Sequence, residues 1–223
     1  LESATGTNYT VAIGNSALKN QNGGLGNTAV GFSSMQTSTS GSNNTAVGGS
    51  SLYSKTTAGG CTAVGGSALY SLTNASSTVG IGASAGYNNT TGTDNTYVGS
   101  SAGLSVTTAN SNVCIGNDSG YSLTTASENV SIGHKANYSR TTSGQSVAIG
   151  YEASYYPSSW HTVAIGYQAL KGSGAVAAGA FNNTAVGYQA GTSVSNLGKR
   201  NVFMGYLSGS AVTTGAKNVT IGS

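Results

Sequence analysis

The sequence predicts an all-β fold, a parallel β-roll or β-solenoid built from 17-residue coils. Three observations carry that reading. A glycine preceded by an aliphatic residue falls at Gly14, Gly31, Gly48, Gly65, Gly82, Gly99, Gly116, Gly133 and Gly150, each 17 residues after the last. A fixed period near 20 residues marks a structural unit stacked on itself. Just before each glycine, apolar and β-branched residues alternate with small or polar ones, which is a strand signal. Between these segments lie Ser/Thr/Asn/Gly clusters such as residues 38–43, 89–94 and 141–145, with the chemistry of turns.

The strand comes first in each unit. Its columns are Val11, Thr28, Thr45, Thr62 and Val79 three residues before the glycine, and Ile13, Val30, Val47, Val64 and Ile81 one before it. About four or five residues at roughly 3.3 Å each fit the pattern. The Ile and Val columns are expected to form continuous buried ladders. Between them runs a small column, Ala12, Ala29, Ala46, Ala63, Ala148, Ala164 and Ala185. That column faces either a narrow interior or a closely approaching second chain. The glycine then ends or bends the strand, at a place where a Cβ would be blocked. A second apolar segment follows, for example Ser67-Ala68-Leu69, and is expected to be a second short strand. An asparagine column before the first strand (Asn27, Asn44, Asn95, Asn112, Asn129, Asn183, Asn201, Asn218) is placed to form a ladder of side-chain amides.

Four more glycines, Gly166, Gly187, Gly205 and Gly222, bring the coils to about 13, in one domain over residues 1–223. The repeat is regular through 150 and irregular in 151–205, where the spacings become 16, 21 and 18. The slips fall in turns. Loop insertions on a solenoid project from one face and often carry binding. The first irregular turn holds Tyr155, Tyr156, Pro157, Trp160 and His161, with the chain's single Pro and single Trp. Tyr155, Tyr156 and Trp160 are candidate glycan contacts; an aromatic plug over a bend is the equal alternative. The next irregular stretch, Ala175 to Gly179, reads either as loop or as a degenerate extra strand.

Tyrosines recur five residues after the glycine (Tyr53, Tyr70, Tyr87, Tyr121, Tyr138, Tyr155) and one after it (Tyr151, Tyr167, Tyr188, Tyr206). They read as ladders bracing neighbouring coils, or as an exposed stripe for stacking on sugars.

Composition narrows the function. Charged residues make up 6% of the chain and the net charge is +3. The cations do not recur at one repeat position, so no basic stripe suits nucleic acid. No stretch approaches the roughly 20 apolar residues of a membrane helix. His134 and His161 stand in unrelated positions, and the five acids are scattered. No metal-ligand spacing, catalytic pair or cofactor motif emerges, and the expectation is a non-enzymatic protein without cofactors. A six-residue aliphatic-glycine repeat would suit a β-helix acyltransferase; this period does not. Cys61 and Cys114, three coils apart, are too distant to bridge.

The phrases Ser146-Val-Ala-Ile-Gly-Tyr151, Thr162-Val-Ala-Ile-Gly-Tyr-Gln-Ala-Leu170 and Asn183-Thr-Ala-Val-Gly-Tyr-Gln-Ala190 resemble the head repeats of YadA-like trimeric autotransporter adhesins. They are closer still to repeats in phage tail fibres that carry a C-terminal self-cleaving chaperone of the endosialidase type. The resemblance covers nearly the whole chain. It implies a left-handed β-roll, a homotrimer, and a structural or receptor-binding fibre on a virion tail or a cell surface. A host-surface glycan or another receptor is the implied partner. In the fibre family the chaperone is released after a serine, which Ser223 would suit. The adhesin repeat is shorter than 17, so the longer turns here are expected to bulge outward. The other reading is a self-assembling extracellular filament whose β-roll ends stack head to tail.

Overall fold

The computed structural model describes residues 9–57, 59–156, 160–172, 182–194 and 198–223. Pro157 and the Ala175–Gly179 stretch lie outside these. The fold is an all-β solenoid of parallel strands on 17-residue coils. It divides into two units, Leu1–Ser111 and Asn112–Ser223.

The first unit carries β1 (Val11–Ile13), β2 (Thr28–Val30), β3 (Thr45–Val47), β4 (Thr62–Val64), β5 (Val79–Ile81) and β6 (Thr96–Val98). Each pairs in parallel with the next, and the register matches equivalent repeat positions, as in Ala46 opposite Ala63. The second unit carries β7 (Val113–Ile115), β8 (Val130–Ile132), β9 (Val147–Ile149), β10 (Val163–Ile165), β11 (Thr184–Val186), β12 (Val202–Met204) and β13 (Val219–Ile221). These also pair in order. The irregular spacing leaves their register intact. Ala148 stands opposite Ala164, and Ala164 opposite Ala185, so the altered lengths are absorbed in the turns.

Three expectations are corrected. The strands are three residues long rather than four or five. The second apolar segment is a turn rather than a strand. Its alternate residues take the left-handed conformation, as at Ser67 (φ 56°) and Leu69 (φ 50°), which extended backbone excludes. Its backbone is still satisfied, because Leu52 N–H donates to Ala68 O at 3.0 Å and Leu69 N–H to Ala85 O at 2.9 Å in the next coil.

The third correction concerns which strand face points inward. The small central residue is buried and its Ile/Val neighbours are outside. Ala29, Ala46, Ala63, Ala148, Ala164 and Ala185 are fully buried, whereas Val47, Ile81 and Ile115 are 37%, 40% and 37% exposed. The reason is the narrow interior. The turn lies directly over the strand, so a Cβ on Gly80, at the centre of β5, would meet Leu69 Cγ at 2.7 Å. An inward Ile or Val does not fit across from Leu.

Interior volume is nevertheless shared between the two walls. In the first unit, where the strand centre is Ala, the turn residue of the same coil is Leu18, Met35, Leu52 or Leu69, all buried. Where the centre is Tyr97, the turn residues above and below are Gly86 and Gly103, whose Cβ atoms would lie 2.5 and 2.3 Å from the ring. Gly191 and Gly209 flank Phe203 in the same way. Close packing to organic-crystal density demands this exchange of large for small.

Candidate functional site

The outward face of each strand is apolar where water would favour polar groups. In the first unit it offers Val47, Val64 and Ile81; in the second, Ile115 and Met204. These side chains recur at one height per coil, so they form a stripe rather than scattered singles. Contiguous exposed apolar surface on a soluble protein marks a contact.

Beside this stripe run the tyrosine ladders. Tyr53, Tyr70 and Tyr87 stack at centroid spacings of 5.0 Å with planes within 6° of parallel. Tyr121, Tyr138 and Tyr155 stack at the same 5.0 Å spacing in the second unit, with planes 18° and 12° apart. A further run follows His134, Tyr151, Tyr167, Tyr188 and Tyr206 at 5.1–5.2 Å. Rings inside a ladder cover one another's faces and turn edges outward. Bracing between coils is therefore what these columns do, as cross-strand aromatic pairs do in sheets. Stacking on a sugar needs a free ring face, which the inner rungs lack.

The irregular turn is different, and the structure divides its three candidate residues. Tyr155 is the last rung of its ladder and meets Tyr156 edge-on, with ring centroids 4.4 Å apart. Burial and the neighbouring Tyr156 push its hydroxyl above the usual tyrosine value. Lys171 Nζ lies 5.9 Å from the Tyr155 ring and pairs with Glu152 at 2.7 Å. Burial opposes charge on Glu152, but hydrogen bonds from Lys171 and Gln168 outweigh it and hold the carboxyl below its usual value.

Trp160 stands apart from the tyrosine pair. It is 43% exposed and lines a cleft of about 290 Å³ with Thr125, Ser127, Glu128, Thr142, Gly144 and Gln145. Glu128, Gln145 and His161 occupy equivalent positions on three successive coils. Gln145 Nε2 donates to Glu128 Oε2 at 2.8 Å, and its Oε1 is 2.7 Å from His161 Nε2. The cleft thus joins an indole to a carboxylate and an amide, the amide held from outside the lining by His161, a combination suited to a polyhydroxylated ligand.

A second polar arrangement is buried. The asparagine column forms the predicted amide ladder. Asn44 donates its backbone N–H and its Nδ2 to Asn27 Oδ1, Asn129 does so to Asn112, and Asn201 to Asn183. Asn95 Nδ2 also reaches a buried carbonyl across the coil, Ala109 O at 2.7 Å, and Asn112 Nδ2 reaches Ala126 O at 2.9 Å, whereas Asn129 Nδ2 turns to Ser127 O at 3.2 Å.

Where the column lacks Asn, another side chain supplies the donor. Thr10 is compensated by Gln21, whose Nε2 reaches Gly24 O at 3.0 Å. Thr78 is compensated by Asn89, whose Nδ2 reaches Gly92 O at 3.1 Å. Cys61 is compensated by Lys55, whose Nζ donates to Ala75 O. In the second unit, Ser146 and Thr162 replace Asn, and the buried Arg140 guanidinium bonds Ser143 O at 3.2 Å and Thr162 Oγ1 at 3.0 Å. Val106 and Leu123 hold the equivalent position, aliphatic and buried, in the coils of Asn95 and Asn112, whereas Lys55 and Arg140 hold it in the coils just before Cys61 and Ser146. Leaving one such buried carbonyl unpaired would cost about 1–3 kcal/mol, which explains the buried cations.

Lys55, Arg140 and Cys61 were not singled out by sequence reasoning as a group. The signal was present in two columns read together: Asn absent from one, and a donor present in the other in the coil just before. Burial pushes the Lys55 amine below its usual value, opposed by Cys61. It pushes Arg140 down to about 9, and the Cys114 thiol up to about 12 against a hydrogen bond with Ser131. Both cysteines are free and buried. Among the described residues, no His/Cys/Asp/Glu group is arranged to hold a metal, and no helix is long and apolar enough to cross a membrane.

No protein-family model, curated protein or solved structure matches the chain.

Proposed function

We propose that this chain is a non-enzymatic segment of a homotrimeric fibre, a phage tail fibre or related surface adhesin. It serves as a rigid spacer and presents a glycan-binding cleft at Trp160. The observation that carries the reading is the outward stripe of Val and Ile on strands whose inward positions are filled by Ala. A water-facing sheet gains nothing from β-branched apolar side chains at one height in every coil. A second and third copy of the chain, wound alongside, would bury them, and this agrees with the resemblance of the repeat to trimeric adhesins and fibres. Three chains also give three clefts, so weak sugar contacts would add through avidity.

Two experiments test this. Val64→Lys with Ile81→Lys places charge on the stripe without entering the interior. The double variant is expected to sediment as a smaller species than the parent while keeping its β spectrum. Equal sedimentation would remove the stripe from the interface. Trp160 is the only tryptophan, so its fluorescence reports directly on the cleft. Titration with host-surface oligosaccharides is expected to change the emission, and Gln145→Ala is expected to weaken that response. An unchanged emission across such a panel would leave the chain a spacer alone.

A further inference from the structure

We propose that Lys55 and Cys61 form a latent covalent site, in which oxidation joins the amine nitrogen to the thiol sulfur as a sulfenamide. Both side chains are fully buried in the turn between β3 and β4. Lys55 Nζ lies 3.5 Å from Cys61 Sγ. That separation is at the edge of the ~3–3.5 Å expected of atoms poised to react. Both groups also face one acceptor, Ala75 O, which Sγ approaches at 3.4 Å and to which Nζ donates. The shared carbonyl holds nucleophile and electrophile side by side.

The surroundings favour the uncharged amine. Among the described residues no carboxylate pairs with Lys55, and burial without a counter-ion favours the neutral form. A neutral amine keeps the lone pair that condensation requires.

The reaction takes hydrogen peroxide as oxidant. Lys55 takes the thiol proton, and the thiolate sulfur attacks peroxide. An S–O bond forms, the O–O bond breaks, and the departing hydroxide takes the proton back from Lys55 and leaves as water, which restores the neutral amine. The amine then attacks the sulfenic sulfur. An S–N bond forms, the S–O bond breaks, and hydroxide leaves with an amine proton as a second water. Sulfur loses two electrons and peroxide gains two. Sulfenic acids are known to condense with nitrogen in this manner and to be reversed by thiols.

The second cysteine is a built-in control. Cys114 is equally buried, but its thiol sits beside Ser131, the central residue of the neighbouring strand β8, and its hydrogen-bond partner is that hydroxyl. With no amine to activate it, it stays protonated and inert.

The test is peptide mapping of the whole folded chain after graded hydrogen peroxide, with remaining thiols blocked after denaturation. The expected product is a chain two hydrogens lighter, with residues 55 and 61 in one cross-linked peptide, restored by excess dithiothreitol, and with Cys114 still free. Lys55→Arg retains charge and donors but offers no condensable amine. It is expected to give no cross-link, with Cys61 trapped as sulfenic acid by a carbon nucleophile or oxidised further. The proposal is overturned if wild-type Cys61 becomes sulfinic acid, is trapped as free sulfenic acid, or reacts no faster than Cys114.

Discussion

Replacing Gly82 with alanine probes the stacking of coils at its tightest point. Gly82 sits at φ +130°, and an added Cβ would lie 2.5 Å from Gly99 O and 2.6 Å from Gly99 C. Both obstacles are backbone, fixed by the hydrogen bond from Gly99 N–H to Ile81 O at 2.7 Å, so no rotamer change relieves the contact. The strained backbone costs about 1–3 kcal/mol and the steric overlap about 1–3 kcal/mol more. The lower entropy of the unfolded alanine chain offsets about 0.4–1 kcal/mol of that loss. A net loss of about 2–5 kcal/mol is expected, against a total of about 5–15 kcal/mol for a typical fold. Gly66→Ala is the matched control, since its Cβ meets nothing within 4 Å. Urea denaturation of both variants at one protein concentration measures the difference. A Gly82→Ala midpoint within about 0.5 kcal/mol of Gly66→Ala would refute the close approach of successive glycines.

Other substitutions test the interior. Tyr97→Ala is expected to cost about 3–5 kcal/mol by opening a cavity, and Gly86→Leu in the same chain should recover part of it, because Leu occupies that turn position opposite Ala elsewhere; thermal unfolding of the single and double variants checks this. Asn112→Ala removes the acceptor for Asn129 N–H and Nδ2, both at 3.0 Å, and the donor to Ala126 O. At about 1–3 kcal/mol per orphaned buried group, a loss of about 3 kcal/mol or more in urea is expected. Lys55 has a folded-state pKa below its usual 10.5, so between those two values the unfolded chain binds more protons than the folded one. Stability should therefore rise with pH through that window, and Lys55→Met should lack the rise in denaturation curves measured across it.

The repeat, the parallel stacking and the asparagine ladder were legible because each rests on one residue type at one recurring position. The glycine column announces its own cause, since only a missing Cβ permits backbone to approach backbone at Gly31, Gly48 and Gly65. The direction of the strand faces was not legible. Alternation of Val and Ala shows that two faces differ, and burial of the larger residue is the usual outcome. What reverses it is the turn lying over the strand, with Leu69 filling the space an inward valine would need. The second strand was misread for a related reason. Ser67-Ala68-Leu69 has the alternation of a strand, yet non-glycine residues there take left-handed angles that sequence does not announce. The tyrosine columns were legible as ladders, while the separation of Trp160 from Tyr155 and Tyr156 depends on how the irregular turn is folded. Lys55 and Arg140 read as scattered surface cations until the missing asparagines are set beside them.

The native mass of the chain in solution, by light scattering on a sizing column, tests the central claim most directly. The monomer is 21.9 kDa, and a trimer at three times that mass is the predicted result. A monodisperse monomer would contradict the account, because the Val and Ile stripe would then face water with nothing to cover it.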